Sequence, residues 1–290
     1  MTGQQYLEGS VALVTGASHG LGRIFATDLA RQGAAIGFLA RDETALNDAV
    51  RQVQDLGGRA IAVPADITEK AAVGIAVEAI QDAFGPIDLL VNAAGACMPA
   101  VGETWMLDID TWWRVFEINV KGAQICSNAV LPRMIERRRG RIIHLASSTV
   151  LHSRPLMSAY VASKTALVKL CEIQAAELRP HGIAVFAVHP GTVRTGMSEG
   201  LLATGLFPWL QEIFDRKLDD LPGAGSSLVA YLASGQADPL SGCYFPVPLS
   251  PEIIVQHSPE VLRDALQVLR VRLLPEAKDV ITRSVPSLGM

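Results

Sequence analysis

Charge is in short supply along this chain: Asp, Glu, Lys and Arg make up 19% of its 290 residues, against 49% hydrophobic. That balance excludes a disordered chain and fits a globular protein with a large interior. The net charge of −4 offers no general attraction to nucleic acid or to an anionic membrane. No run of about eighteen apolar residues occurs, so no transmembrane helix is expected. Residues 1–8 lack a basic segment followed by an apolar core, so no signal peptide is expected and the protein reads as soluble and cytoplasmic. Cys97, Cys126, Cys171 and Cys243 form no Cys-x-x-Cys pair and read as small buried hydrophobes in a reducing compartment. None of the six histidines stands at metal-ligand spacing, so no catalytic metal is expected. Internal repeats and low-complexity tracts are missing too.

What is present centres on Ser158-Ala159-Tyr160-Val161-Ala162-Ser163-Lys164. Residues four apart on a helix share a face, so Tyr160 and Lys164 can reach one point. A phenol titrates near ~10 in water, and a neighbouring ammonium lowers that value, which makes a usable proton donor and acceptor. Ser147 follows the apolar run 142–146, which reads as a buried strand whose end delivers a hydroxyl beside the tyrosine. Such a trio suits a carbonyl group. The Tyr/Lys pair alone is also an ordinary helix-face contact with a snorkelling lysine, so the remaining chain has to decide.

Residues 11–14 form an apolar run of strand length that leads into Thr15-Gly16-Ala17-Ser18-His19-Gly20-Leu21-Gly22, after which apolar residues recur at helical spacing. Strand, glycine-rich turn and helix in that order make a phosphate-binding element. Glycines permit the tight turn and close backbone approach, and the helix N-terminus offers free N–H groups with a partial positive charge. The spacing Gly-x-x-x-Gly-x-Gly differs from the Gly-x-Gly-x-x-Gly dinucleotide fingerprint. The next strand, 35–40, ends at Arg41-Asp42. At this place an acidic side chain binds a ribose 2′-hydroxyl, whereas an arginine accepts a 2′-phosphate. Ala40 fills the usual carboxylate position, Arg41 supplies a guanidinium, and His19 adds a donor, so the expected cofactor is NADP with NAD as the alternative. Asp42 reads as the N-cap of a helix over 43–56. The plain alternative for Arg41 is a solvated surface charge.

A strand at 60–63 with Asp66 after it, a helix over 69–84 and a strand at 87–91 running into Asn92-Ala93-Ala94-Gly95 continue the pattern. Strands alternating with helices predict an α/β fold with a Rossmann-type doubly wound parallel sheet. Ligands of such sheets sit beyond the carboxyl ends of the strands, where Gly16, Arg41, Asp66 and Asn92 all fall. The apolar pattern over 109–138 then predicts one long helix, with Pro132 implying a kink or break. Asn119 is a polar residue in its middle, which on ordinary grounds is satisfied by a neighbouring backbone carbonyl. Arg137-Arg138-Arg139-Gly140-Arg141 reads as a solvated helix end favoured by the dipole.

Together these motifs, with Pro190-Gly191-Thr192-Val193-Arg194-Thr195, resemble a single-domain short-chain dehydrogenase/reductase over roughly residues 8–195. Ala93, where Asn is more usual, is the one departure within the motifs. The resemblance implies that Tyr160 is the catalytic acid/base and that Lys164 lowers its pKa and holds the nicotinamide ribose. It also implies that Ser147, with Ser148 as the alternative, binds the substrate oxygen, and that Asn119 holds a water in a relay to Lys164. The implied cofactor set is Gly16, Ser18, His19, Gly20, Leu21, Gly22, Arg41, Asp66, Ile67, Asn92, Ala93, Gly95, Tyr160, Lys164, Pro190, Gly191, Val193 and Thr195. A homodimer or homotetramer, paired through the helices over 109–138 and 158–179, is implied as well.

Residues 196–222 carry Met197, Leu201, Leu206, Phe207, Trp209 and Phe214, an apolar load that suits a substrate lid with glycine joints, or else a pair of core-packed helices. With Cys97, Met98, Leu151 and Met157 nearby in the motifs, a hydrophobic carbonyl or alcohol substrate is expected. The domain reading is one unit over 1–250 with an extension over 251–290, including a helix over about 259–274. The competing readings are an NAD-dependent secondary-alcohol dehydrogenase, a non-enzymatic nucleotide sensor on the same fold, and an interaction module. Neither non-enzyme needs Ser147, Tyr160, Lys164 and Asn119 together.

Overall fold

Strands buried on both faces read as unbroken apolar runs, because helices cover a parallel sheet from both sides. In the computed structural model, which describes residues 7–247 and 249–270, β1 (Val11–Thr15), β2 (Ala35–Ala40), β3 (Ala60–Pro64) and β4 (Leu89–Asn92) alternate with α1 (Gly20–Arg31), α2 (Glu43–Asp55) and α3 (Lys70–Phe84). Then come α4 (Ile109–Phe116), α5 (Ala123–Arg137), β5 (Gly140–Leu145), α6 (Ser158–Leu178) and β6 (Ile183–His189). The chain continues through α7 (Gly196–Ala203), α8 (Pro208–Asp215), α9 (Pro222–Ala233), β7 (Tyr244–Pro246), α10 (Pro251–Gln256) and α11 (Ser258–Arg263). The strands form one sheet in the order β3-β2-β1-β4-β5-β6-β7, with every pairing parallel. This is the Rossmann-type doubly wound α/β fold that the alternation predicts.

Side chains of β1 alternate between the two faces. Ala12 and Val14 join Phe25, Phe38 and Phe186 in one core layer, while Val11 and Leu13 join Leu39, Ile80 and Val130 in the other. The chain reverses its direction of travel across the sheet between β1 and β4, the switch point where ligand clefts form. There Ala94 donates its amide to the Thr15 hydroxyl at 3.1 Å. A Cβ on Gly16, which has φ +65°, would lie 2.7 Å from the Ala94 Cα, so only glycine lets the two turns touch.

Three readings change. The helix over 109–138 runs through Pro132, and its irregular winding falls instead at the π-wound segment Glu117–Gly122, around Asn119. The arginine run is solvated at Arg138 and Arg139 but anchored on either side of them, because partly buried acids sit opposite Arg137 and Arg141. Arg137 pairs with Asp88 at 2.9 Å, Arg138 donates to the Pro180 carbonyl at 2.6 Å, and Arg141 pairs with Asp238 at 2.7 Å. The expected helix over 259–274 ends at Arg263, since Ala265 and Gln267 take left-handed backbone with φ of 48° and 58°. The chain then turns so that the Gln267 carbonyl accepts the Tyr244 amide of edge strand β7 at 2.7 Å. Residues 271–274 of that helix, like the tail, lie outside the described residues.

Candidate active site

Helix α6 brings Tyr160 and Lys164 onto one face, and β5 delivers Ser147 to the same place. Lys164 is buried and donates to the carbonyl of Leu145, the last residue of β5, at 2.6 Å. Ser147 caps a short helical turn, accepting from the Thr149 amide at 3.2 Å and the Thr149 hydroxyl at 3.0 Å. Its oxygen is thereby held by two donors, which leaves its own proton to give. It faces Tyr160, so Ser147 rather than Ser148 meets the phenol.

Burial pushes the Tyr160 phenol up to about 12, while the Ser147 hydroxyl pulls against that rise. Burial likewise brings the Lys164 ammonium down to about 8. The expected pull of Lys164 on the phenol is therefore not the governing influence here; its Nζ stands 5.8 Å from the phenol ring centre.

Asn119 sits between these groups and the turn after β4. Its Oδ1 accepts from the Ala96 amide at 2.7 Å, and its Nδ2 donates to the Ala96 carbonyl and to the Ser163 hydroxyl, both at 2.9 Å. Ser163 passes the contact on to the Tyr160 carbonyl at 2.8 Å. Both amide protons are in use, so the side chain positions α6 against the β4 turn.

A cleft of about 620 Å³ opens at the switch point, lined by Gly16, Ser18, His19, Arg41, Asp66, Ile67 and Gly95 among others. Gly20, Leu21 and Gly22 open α1 beneath it. A Cβ on Gly20 would approach the Thr195 side chain at 3.8 Å, so the loop after β6 meets the glycine turn. Asp42 accepts from the Ala45 amide at 3.0 Å and caps α2 as expected. Burial raises the Asp66 carboxyl, but the Thr68 amide and hydroxyl, with Arg114 and Arg41, outweigh it and hold the group below its usual range.

Two expected cofactor residues stand elsewhere. Asn92 is buried and its Nδ2 reaches inward to Ser127 and to His144 Nδ1 at 3.2 Å, while Ala93 packs on the core, so Ala94 and Ala96 line the cleft with Gly95. The side chain of a strand's last residue alternates inward, and here it meets the polar His144. Of the loop after β6, Val193 is buried, and Pro190 and Gly191 are braced by Asp220: its Oδ2 accepts the Thr192 amide at 2.7 Å, and a Cβ on Gly191 would meet its own Cβ at 2.7 Å.

Sequence reasoning missed Ser163, Arg114, Asp220 and the chain in which His144 Nε2 donates to Gln174 Oε1 at 2.8 Å and Gln174 donates to Gln124 at 2.9 Å. Only Ser163, inside the Tyr/Lys stretch, carried a signal in its position. Burial brings His144 down to about 4, which keeps it neutral with one ring nitrogen free to accept.

The helices α7 and α8 close the far side. Phe207, Leu201, Leu210 and Phe214 form a buried cluster with Cys97 and Met157, against which Tyr160, Val161 and Trp209 pack. Their apolar side chains thus pack into a core that reaches Tyr160.

The sequence profile of the short chain dehydrogenase family matches residues 10–204. The chain belongs to that family and is an oxidoreductase. A short chain dehydrogenase of Pseudocercospora fijiensis is 40% identical over 194 residues, which span 66% of this chain and 62% of that protein. A short-chain type dehydrogenase/reductase of Picea abies is 35% identical over 250 residues, 80% of this chain and 88% of that one. Among solved structures, a variant of actinorhodin polyketide ketoreductase with NADPH matches with a TM-score of 0.77 and 31% identity, over 82% of this chain and 95% of that one.

Proposed function

We propose that the protein is an NADP(H)-dependent oxidoreductase that interconverts a ketone or aldehyde and an alcohol on an apolar small molecule, with Tyr160 as general acid/base. The observation that carries this reading is the meeting of Tyr160, Lys164 and Ser147 beyond the end of β5. The cleft fits a dinucleotide: backbone forms its glycine cradle, where a Cβ on Gly22 would run into the Gly16 carbonyl. Arg41 and His19 favour a 2′-phosphate, and the Asp42 carboxylate, engaged in capping α2, favours it further over a free ribose hydroxyl. A ketoreductase neighbour with NADPH agrees with that choice.

When bound, the nicotinamide supplies or accepts the hydride. Tyr160 gives its hydroxyl proton to the carbonyl oxygen during reduction and recovers it from the alcohol during oxidation. Ser147 donates a hydrogen bond to the same oxygen as charge gathers there. Lys164, charged below about 8, stabilises the phenolate left behind. The cluster under α7 and α8 excludes water and fits an apolar substrate body, which is the lid role proposed for 196–222.

A second copy of the chain is the proposed partner, docking on the groove between Trp113, Phe116, Val120, Leu170 and Ile173, where Trp113 is 55% and Ile173 49% exposed. Four free, buried cysteines support a reducing, cytoplasmic setting, and among the described residues no helix is long and apolar enough to cross a membrane.

The test is a panel of ketones, aldehydes and secondary alcohols with NADPH and NADH, run on the wild type and on Tyr160→Phe. Turnover with NADPH that falls by about two to four orders of magnitude in the variant, with cofactor binding kept, supports the reading. Cofactor binding without turnover of any panel member would favour the sensor instead.

A further inference from the structure

Arg154 stands on the loop between Ser147 and Tyr160, the two residues proposed to hold the carbonyl oxygen. Its guanidinium carbon stands over the Trp209 ring of α8, 4.6 Å from the ring centre. Trp209 in turn packs on the apolar cluster that also carries Tyr160. The side chain therefore sits where the loop meets α8, packed on the indole at the edge of the cluster that also carries Tyr160. Its Nε is buried and has no hydrogen-bond partner among the described residues.

A buried guanidinium N–H without an acceptor is costly, and native proteins seldom leave one so. An indole face satisfies the cation's charge but takes none of its in-plane donors, so Nε is left without an acceptor. Those donors form a planar fork matched to a carboxylate. A neighbouring Arg194 guanidinium is held the same way, 4.4 Å from the ring centre of Phe214 on the same helix, so α8 carries two arginines on aromatic faces.

We infer that Arg154 is a substrate-recognition residue: the substrate is a carbonyl compound, or its alcohol, whose apolar body ends in a carboxylate held by the Arg154 fork. The inference rests on the reading of Tyr160 and Ser147 as the carbonyl-binding end. It refines that reading from an apolar substrate to an amphipathic one, with the apolar cluster gripping the body and the arginine the far end.

The experiment measures binding by calorimetry, with turnover alongside, for three keto acids of rising length: 4-oxopentanoate, 4-acetylbenzoate and 4′-acetylbiphenyl-4-carboxylate. Each is paired with its neutral carboxamide. At least one acid is expected to bind about tenfold or more tighter than its amide, the scale of a charge-assisted hydrogen bond. Arg154→Met, which keeps the apolar stem, should erase that preference and leave the affinity for the amides within about twofold. Arg154→Lys, which keeps the charge and loses the fork, should retain only part of it and serves if the methionine variant does not fold. Equal affinity of every acid and its amide in the wild type overturns the inference, as does a preference that survives in Arg154→Met. Charge-selective binding with no turnover would instead strike the reductase reading and leave the anion subsite standing.

Discussion

Asn119 grips the peptide of Ala96 at both polar atoms, accepting from its amide at 2.7 Å and donating to its carbonyl at 2.9 Å. The contact joins the turn after β4 to the α6 face that carries Tyr160 and Lys164. Replacing the side chain by leucine keeps its size, leaves the Ala96 amide and carbonyl unpaired and removes the donor to the Ser163 hydroxyl. Each orphaned group costs about 1–3 kcal/mol, so Asn119→Leu should lower unfolding free energy by several kcal/mol in urea titrations. Asn119→Asp loses only the donating half and is expected to fall between. A leucine variant as stable as wild type would show that these bonds are incidental.

Arg41 is the residue on which the cofactor preference turns. Arg41→Ala should weaken NADP binding by about 1.5–3 kcal/mol, the worth of hydrogen bonds to a charged group, and leave NAD binding nearly unchanged. Calorimetry with both dinucleotides checks this. Equal losses would make Arg41 a structural residue, and a wild-type preference for NAD would end the NADP assignment.

Acid should destabilise the fold through two histidines. Burial brings both His144 and His189 from the usual 6.5 down to about 4, against the Gln174 contact in one case and Asp220 in the other. The unfolded chain takes up these protons below about 6.5, and the folded protein only below about 4, so stability is full above the first value and falls as pH drops toward the second. Each group accounts for up to about 3 kcal/mol of that fall. His144→Asn removes one titration and should make the slope of unfolding free energy against pH shallower in this window. An unchanged slope would assign the acid loss to carboxylates alone.

The groove across α4, α5 and α6 predicts assembly. Sedimentation at micromolar concentration should give a dimer or larger species, and Ile173→Glu, which places a charge in the groove, should give a folded monomer. A wild type that sediments as a monomer would mean that the exposed Trp113 and Ile173 serve something other than self-association.

The sheet and its rim were legible because their signals are local. Val11 to Val14 followed by Gly16, Gly20 and Gly22 states a strand, a turn and a helix within a dozen residues, and the same holds for Tyr160 with Lys164. Asp220 braces Gly191 from a position 29 residues further on, and His144 meets Asn92 across neighbouring strands, so neither contact leaves a mark in any short window. The π-wound turn at Glu117–Gly122 escaped for a related reason: apolar spacing reports which face is buried, and a single wide turn barely alters it. Asp88 and Asp238 gave no hint that the arginine run was destined for them.

The pairing of the Tyr244 amide with the Gln267 carbonyl bears on how the protein is made. Strand β7 is the last strand of the sheet among the described residues, and its outward Tyr244 amide is met by a residue more than twenty positions later in synthesis. Until Gln267 has left the ribosome, a growing chain exposes an open strand edge, the kind of surface that recruits other nascent chains. A chain stopped at Arg263 keeps every strand among the described residues, yet it carries that edge permanently. Its yield in soluble form, more than its catalysis, is where the missing segment will be felt.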